Sequence, residues 1–138
     1  MNKEKENKFS SENIDLVLQK MKEWFEKKEF LEICGLVGLD GNGGYVVKEC
    51  KNLSQDPTSS FILDPLDYLL FSEEFELLCI YHNHPKGDAE PSQADVEASE
   101  NACLPFLIYS NQEKKYKLYE PKTSEVNSDF IKKIKKLV

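Results

Sequence analysis

The stretch FELLCIYHNHPKGDAEPSQADVEASENA, residues 75–102, constrains the fold more than any other. Its first third is a short apolar run suited to a buried strand. Pro85, Gly87 and Pro91 then forbid continuation as strand or helix, so PKGDAEP is a loop. Ser92 followed three residues later by Asp95 has the form of a capping box, and a helix starts there. A strand, a loop and a helix therefore follow one another within 28 residues, and the surrounding sequence repeats this alternation.

Upstream, Ile14, Val17, Leu18, Met21 and Phe25 fall at helical spacing, with Ser10 or Ser11 as the predicted N-cap. ICGLVGL and YVVKEC flank the turn sequence DGNGG, so residues 33–50 read as a β-hairpin. SQDPTSS is a loop. FILDPLDYLLF begins extended and turns at Asp64-Pro65 into a short helix. PFLIYS and KYKLYE read as strands, and NSDFIKKIKKLV as a closing amphipathic helix whose lysines form a solvated face. Residues 1–9 are expected to be a flexible polar tail. The alternation predicts a mixed α/β layer fold. With 138 residues, no repeat and no linker, residues 1–138 are expected to form one domain.

Charge excludes several function classes. The net charge is −7 and every basic residue is lysine, so nucleic acid is not an expected partner: the usual bidentate readers of phosphate and base edges are missing. No apolar run approaches a membrane span, and the charged N-terminus lacks a secretory h-region, so a cytoplasmic location is expected. Cys34, Cys50, Cys79 and Cys103 form no CxxC pair and sit in mostly apolar segments, where they read as small core residues.

His82 and His84 are the only histidines. Two residues apart on a strand, they point to one face about 6.6 Å apart at the backbone, close enough to share a metal. Asp95 is the candidate third ligand. Two imidazoles and one carboxylate suit zinc and leave a fourth position open, the pattern of a catalytic site. H-x-H alone is weak evidence, however, and the capping box accounts for Ser92 and Asp95 without any metal.

Taken together, His82, His84, Ser92 and Asp95 resemble the H-x-H, seven residues, S-x-x-D signature of the JAB/JAMM metallopeptidases, the MPN-plus domain. FLEICGLVG resembles the family's upstream E-x-C-G-L segment and places Glu32 there. FILDPLDY resembles bacterial and phage members. The resemblance runs from about residue 12 to residue 120. It implies an MPN/JAB-like, cytidine-deaminase-like fold with a central mixed β-sheet flanked by helices. It further implies one zinc per chain held by His82, His84 and Asp95, Glu32 as general base, and Ser92 beside the oxyanion. The implied activity is hydrolysis of an amide bond in a protein or peptide, such as one following a ubiquitin-like C-terminal tail. Two alternatives stay open. One is a non-catalytic module of phage tail assembly. The other is a DNA-associated role, since HNHPKGD, with Asn83 between the histidines, is similar to the RadC-type branch.

Overall fold

The computed structural model describes residues 3–5, 7–124 and 126–138. Seven strands form one sheet: β1 (Lys3–Lys5), β2 (Lys8–Ser11), β3 (Cys34–Leu39), β4 (Tyr45–Cys50), β5 (Glu76–His84), β6 (Phe106–Ser110) and β7 (Lys115–Tyr119). Their order across the sheet is β1-β2-β4-β3-β5-β6-β7. All neighbours are antiparallel except β5 and β6, which run parallel. The helices are α1 (Ile14–Lys27), α2 (Pro65–Glu74), α3 (Gln93–Ala102) and α4 (Ser128–Leu137). Helix α3 is the crossover that lets β6 run parallel to β5, since a tight hairpin joins only antiparallel strands. The mixed α/β architecture read from the sequence is the one observed.

Two apolar clusters divide the side chains of the central strands. Val37, Val47, Tyr81 and Leu107 pack with Phe25 of α1 and Phe130 and Ile134 of α4. Their immediate neighbours Leu36, Val46, Ile80 and Ile108 pack on the other face, with Phe71 of α2 and Leu104. The alternation is the period-2 geometry of a strand, and it leaves both faces of the sheet covered. His82 and His84 continue the row of Ile80. Asn83 continues the row of Tyr81.

Two glycines are required by geometry. A Cβ on Gly35 would collide with the Lys48 carbonyl and the Tyr81 ring, whose hydroxyl donates to that same carbonyl at 2.9 Å. Gly43 sits at φ +83 in the turn between β3 and β4, where Asp40 Oδ1 accepts from the Asn42 and Gly44 amides.

Three sequence expectations need correction. Within the expected flexible tail, residues 3–5 and 8–9 are strand, because the strand that buries Phe9 and Ser11 adds to β4 and pairs with β1; residues 1, 2 and 6 lie outside the described residues. The N-cap of α1 is Asn13, which accepts from Asp15 N, since Ser10 and Ser11 belong to β2. Cys103 is exposed at the left-handed end of α3 instead of lying in the core, whereas Cys34, Cys50 and Cys79 are buried.

Candidate metal centre

The sheet brings together what lies apart in sequence. His82 and His84 end β5, and Asp95 opens α3. The loop between them returns the chain, so that His82 Nε2 stands 3.1 Å from Asp95 Oδ1 and His84 Nε2 stands 3.0 Å from Asp95 Oδ2. One ligand atom from each of the three residues falls within 4.8 Å of the others. The capping box is real as well: Ser92 Oγ accepts from Asp95 N at 3.1 Å, and Asp95 Oδ2 accepts from Ser92 N at 2.9 Å. The cap and the cluster are thus one arrangement. It fixes the carboxylate's rotamer and turns it toward the imidazoles.

The donor chemistry fits a cation. His84 Nδ1 is 2.9 Å from the Asp88 carbonyl, which only accepts, so Nδ1 carries the proton and a neutral ring presents a lone pair at Nε2. Such outer hydrogen bonds orient histidine ligands at metal sites. His82 is fully buried, and neither ring nitrogen has a directed hydrogen bond among the described residues, despite the 3.1 Å approach to Asp95. A buried imidazole short of hydrogen bonds is costly, and a cation bound between His82, His84 and Asp95 would satisfy Nε2, the ring nitrogen that faces the carboxylate. Phe61 and Phe106 pack the His82 ring at centroid distances of 4.5 and 5.5 Å.

Burial lowers the pKa of His82, offset only in part by Asp95. Burial also acts to lower His84, but the Asp95 carboxylate and the Asp88 carbonyl outweigh it and hold His84 above its ordinary value. For Asp95 burial acts upward, and the two histidines with the Ser92 amide prevail, keeping the carboxyl well below the usual range. Both imidazoles thus face a carboxylate that stays ionised.

Glu32 lies just before β3 and outside the three-residue cluster, but it lines the same cleft, of about 1250 Å³, as His84, Ser92 and Asp95. Phe30, Phe61 and Ile62 supply apolar wall. Burial, reinforced by the charges of Asp95 and Asp56 and opposed by His84, raises the Glu32 carboxyl to about 7. Burial pushes the thiols of Cys34, Cys50 and Cys79 up, so these cysteines are poor nucleophiles.

The structure therefore gathers all five residues singled out from sequence. It also adds three asparagines. Asn83, on the face of β5 opposite the histidines, is buried, with its side chain bonded to backbone on both sides of Glu32. Asn111 bonds Asn83, and Asn52 Nδ2 donates to the Glu32 carbonyl at 3.0 Å. The available signal was a carboxamide at the end of a buried strand, which needs partners wherever it is buried.

No helix among the described residues is long and apolar enough to cross a membrane.

Comparison with known proteins agrees with the geometry. Residues 16–123 match the family model described as prokaryotic homologs of the JAB domain. Over 73 residues the chain is 33% identical to tail tip assembly protein K of Escherichia phage N15, covering 53% of this chain and 30% of that protein. Over 63 residues it is 36% identical to a probable TtuB-protein conjugate cleaving protease of Thermus thermophilus, covering 42% of each. The chain thus spans less than half the length of either relative. A solution structure from Desulfitobacterium hafniense shares the fold, with TM-score 0.55 and 23% identity over 80% of this chain and 91% of that one. With more than half its length matched by the family model, this chain belongs to the prokaryotic JAB-domain family.

Proposed function

We propose that residues 1–138 form a single zinc-dependent peptidase or isopeptidase domain, with His82, His84 and Asp95 holding one zinc. The observation that carries this reading is the convergence of a preorganised two-imidazole, one-carboxylate cluster with a separate buried carboxyl, Glu32, in one cleft. Zinc bound there would supply a Lewis acid for the scissile carbonyl and lower the pKa of a water. Glu32 takes the proton from the attacking water as its oxygen bonds the carbonyl carbon, then passes it to the leaving amine as the C–N bond breaks. A carboxylate is the side chain that can both accept and return a proton in this way. Ser92 Oγ spends a lone pair on the Asp95 amide and keeps its own proton for the oxyanion. The apolar wall suits an extended peptide, and the substrate class is a protein or peptide, such as a ubiquitin-like tail ending in small residues.

The test is metal analysis together with cleavage of a peptide ending in Gly-Gly joined to a lysine ε-amine. Wild-type protein binds one zinc per chain and cleaves the isopeptide, and His82→Ala/His84→Ala does neither. Zinc retained by the double mutant would sink the assignment.

The phage tail relative favours a second reading, an assembly module in which cleavage is secondary. It wins if tail assembly or partner binding requires the fold but tolerates Glu32→Gln.

A further inference from the structure

The middle residue of the H-x-H segment has four hydrogen bonds, and all bear on Glu32 or its support. Asn83 Oδ1 accepts from Ile33 N at 2.6 Å. Asn83 Nδ2 donates to the Leu31 carbonyl at 3.0 Å and to Asn111 Oδ1 at 2.5 Å. Its backbone N–H donates to the Ile33 carbonyl at 3.3 Å. Asn111 in turn donates from Nδ2 to the Phe25 carbonyl of α1 at 3.1 Å. The carboxamide orientation follows from these partners: an N–H on one side requires the oxygen and a carbonyl on the other requires the nitrogen.

The location matters. Pairing of β3 with β5 ends at Cys34↔His82. Residues 31–33 lie past that end, where the ladder thins to the Asn83 N–H bond to the Ile33 carbonyl and a gap opens. Glu32 sits in this gap, and the Asn83 side chain stands in for the missing rungs on both sides of it. The other edge of the segment is held by the loop after β4, with Glu32 N donating to the Pro57 carbonyl at 2.6 Å and Asn52 bonding the Glu32 carbonyl.

We propose that Asn83 is a positioning residue that couples the strand bearing His82 and His84 to the segment bearing Glu32, and so fixes the base relative to the metal group. The catalytic part of this inference rests on the peptidase reading. Asparagine suits the task because it combines one acceptor with two donors in a plane. Aspartate keeps the size but sets a carboxylate against the Leu31 carbonyl. Serine is too short to reach both flanks. Because β5 and β6 bury Asn83 between Asn111 and the 31–33 backbone, its loss frees the Glu32 segment while leaving both histidines in their strand.

The experiment compares Asn83→Ser and Asn83→Asp with wild type, alone and combined with Glu32→Gln. Amide hydrogen exchange, zinc stoichiometry and the steady-state kinetics of the Gly-Gly–lysine isopeptide are measured. The expected result for Asn83→Ser is Ile33 amide exchange at least about 10-fold faster than wild type, with β5–β6 amides unchanged; Asn83→Asp keeps the Ile33 acceptor and loses the donor to the Leu31 carbonyl. One zinc per chain is retained, and kcat falls about 10- to 100-fold at constant KM. In the Glu32→Gln background the Asn83 substitutions cost no further rate, because the group they misplace is already disabled. A merely structural role predicts additive losses, and that outcome overturns the proposal, as does loss of zinc or unaltered kcat in an active enzyme. If wild type binds zinc but cleaves no isopeptide, the peptidase reading fails separately. The coupling of the two segments is then decided by exchange alone: faster Ile33 exchange in Asn83→Ser supports it and unchanged exchange overturns it.

Discussion

His84 Nε2 faces Asp95 Oδ2 at 3.0 Å while its other ring nitrogen is 2.9 Å from the Asp88 carbonyl. One imidazole is thus pinned from behind by a backbone acceptor and directed at a carboxylate. Two lone-pair atoms in that relation repel unless a proton or a cation lies between them.

On the proposed zinc reading, the metal is expected to stabilise the fold. Excess zinc raises the melting temperature of wild-type protein. A free concentration 100 times the dissociation constant corresponds to about 2.7 kcal/mol. Chelation reverses the gain, and His84→Ala abolishes it. Calorimetry with and without chelator checks this.

On the proposed reading, metal binding and proton transfer separate by residue. Glu32→Gln keeps one zinc per chain and loses about 10²- to 10⁴-fold in rate. Its melting temperature in the zinc form changes little. Zinc lost from a folded Glu32→Gln protein would make Glu32 a ligand instead of the base.

Asp95 caps α3 and is the proposed carboxylate ligand, and substitutions divide the two roles. Asp95→Ala loses zinc affinity and also the cap of α3, costing the metal-free protein about 0.5–2 kcal/mol. Asp95→Asn retains a carbonyl oxygen for the Ser92 amide, so it loses zinc with a smaller loss of metal-free stability. Urea denaturation of the two chelated variants distinguishes them.

Metal-free stability depends on pH through Glu32. Its carboxyl is raised from 4.5 to about 7 by burial, so the folded state binds the proton more tightly than the unfolded one. The resulting stability is fully present below about pH 4.5 and is lost as pH rises through about 7. Glu32→Gln removes that loss: relative to wild type, chelated Glu32→Gln melts a few degrees higher at pH 8 than at pH 4. Asp95 contributes in the opposite sense. Its carboxyl is depressed, so its stabilisation is present above about 3.8 and disappears in acid. Thermal melts of chelated protein across pH separate the two in Asp95→Asn and Glu32→Gln backgrounds.

Gly35→Ala is destabilising by about 1–3 kcal/mol. The added methyl meets the Lys48 carbonyl and the Tyr81 ring, neither of which can withdraw without breaking the Tyr81–Lys48 hydrogen bond. Gly41→Ala, with open space around it, is the control for the same denaturation measurement.

The sequence by itself determined the elements and the ligand candidates, because both are written in local pattern. Period 3.6 marked α1, short apolar runs around turn residues marked β3 and β4, and Pro85 with the Ser92–Asp95 box set where β5 ended and α3 began. His82 and His84 declared a shared face through strand alternation alone. Glu32 is different. Nothing in its spacing joins it to the histidines, and only its resemblance to a known motif singled it out. Tertiary structure decided the rest. A polar N-terminal segment became strand because the edge of β4 was available to pair with it and Phe9 had a core to enter. Cys103 stayed outside because α3 ends at the surface. The asparagines that hold Glu32 were invisible locally, since their partners are backbone groups tens of residues away: Asn83 reaches Leu31 and Asn111 reaches Phe25. A hydrogen bond across such separations exists only after the sheet has fixed both ends, so no local pattern encodes it.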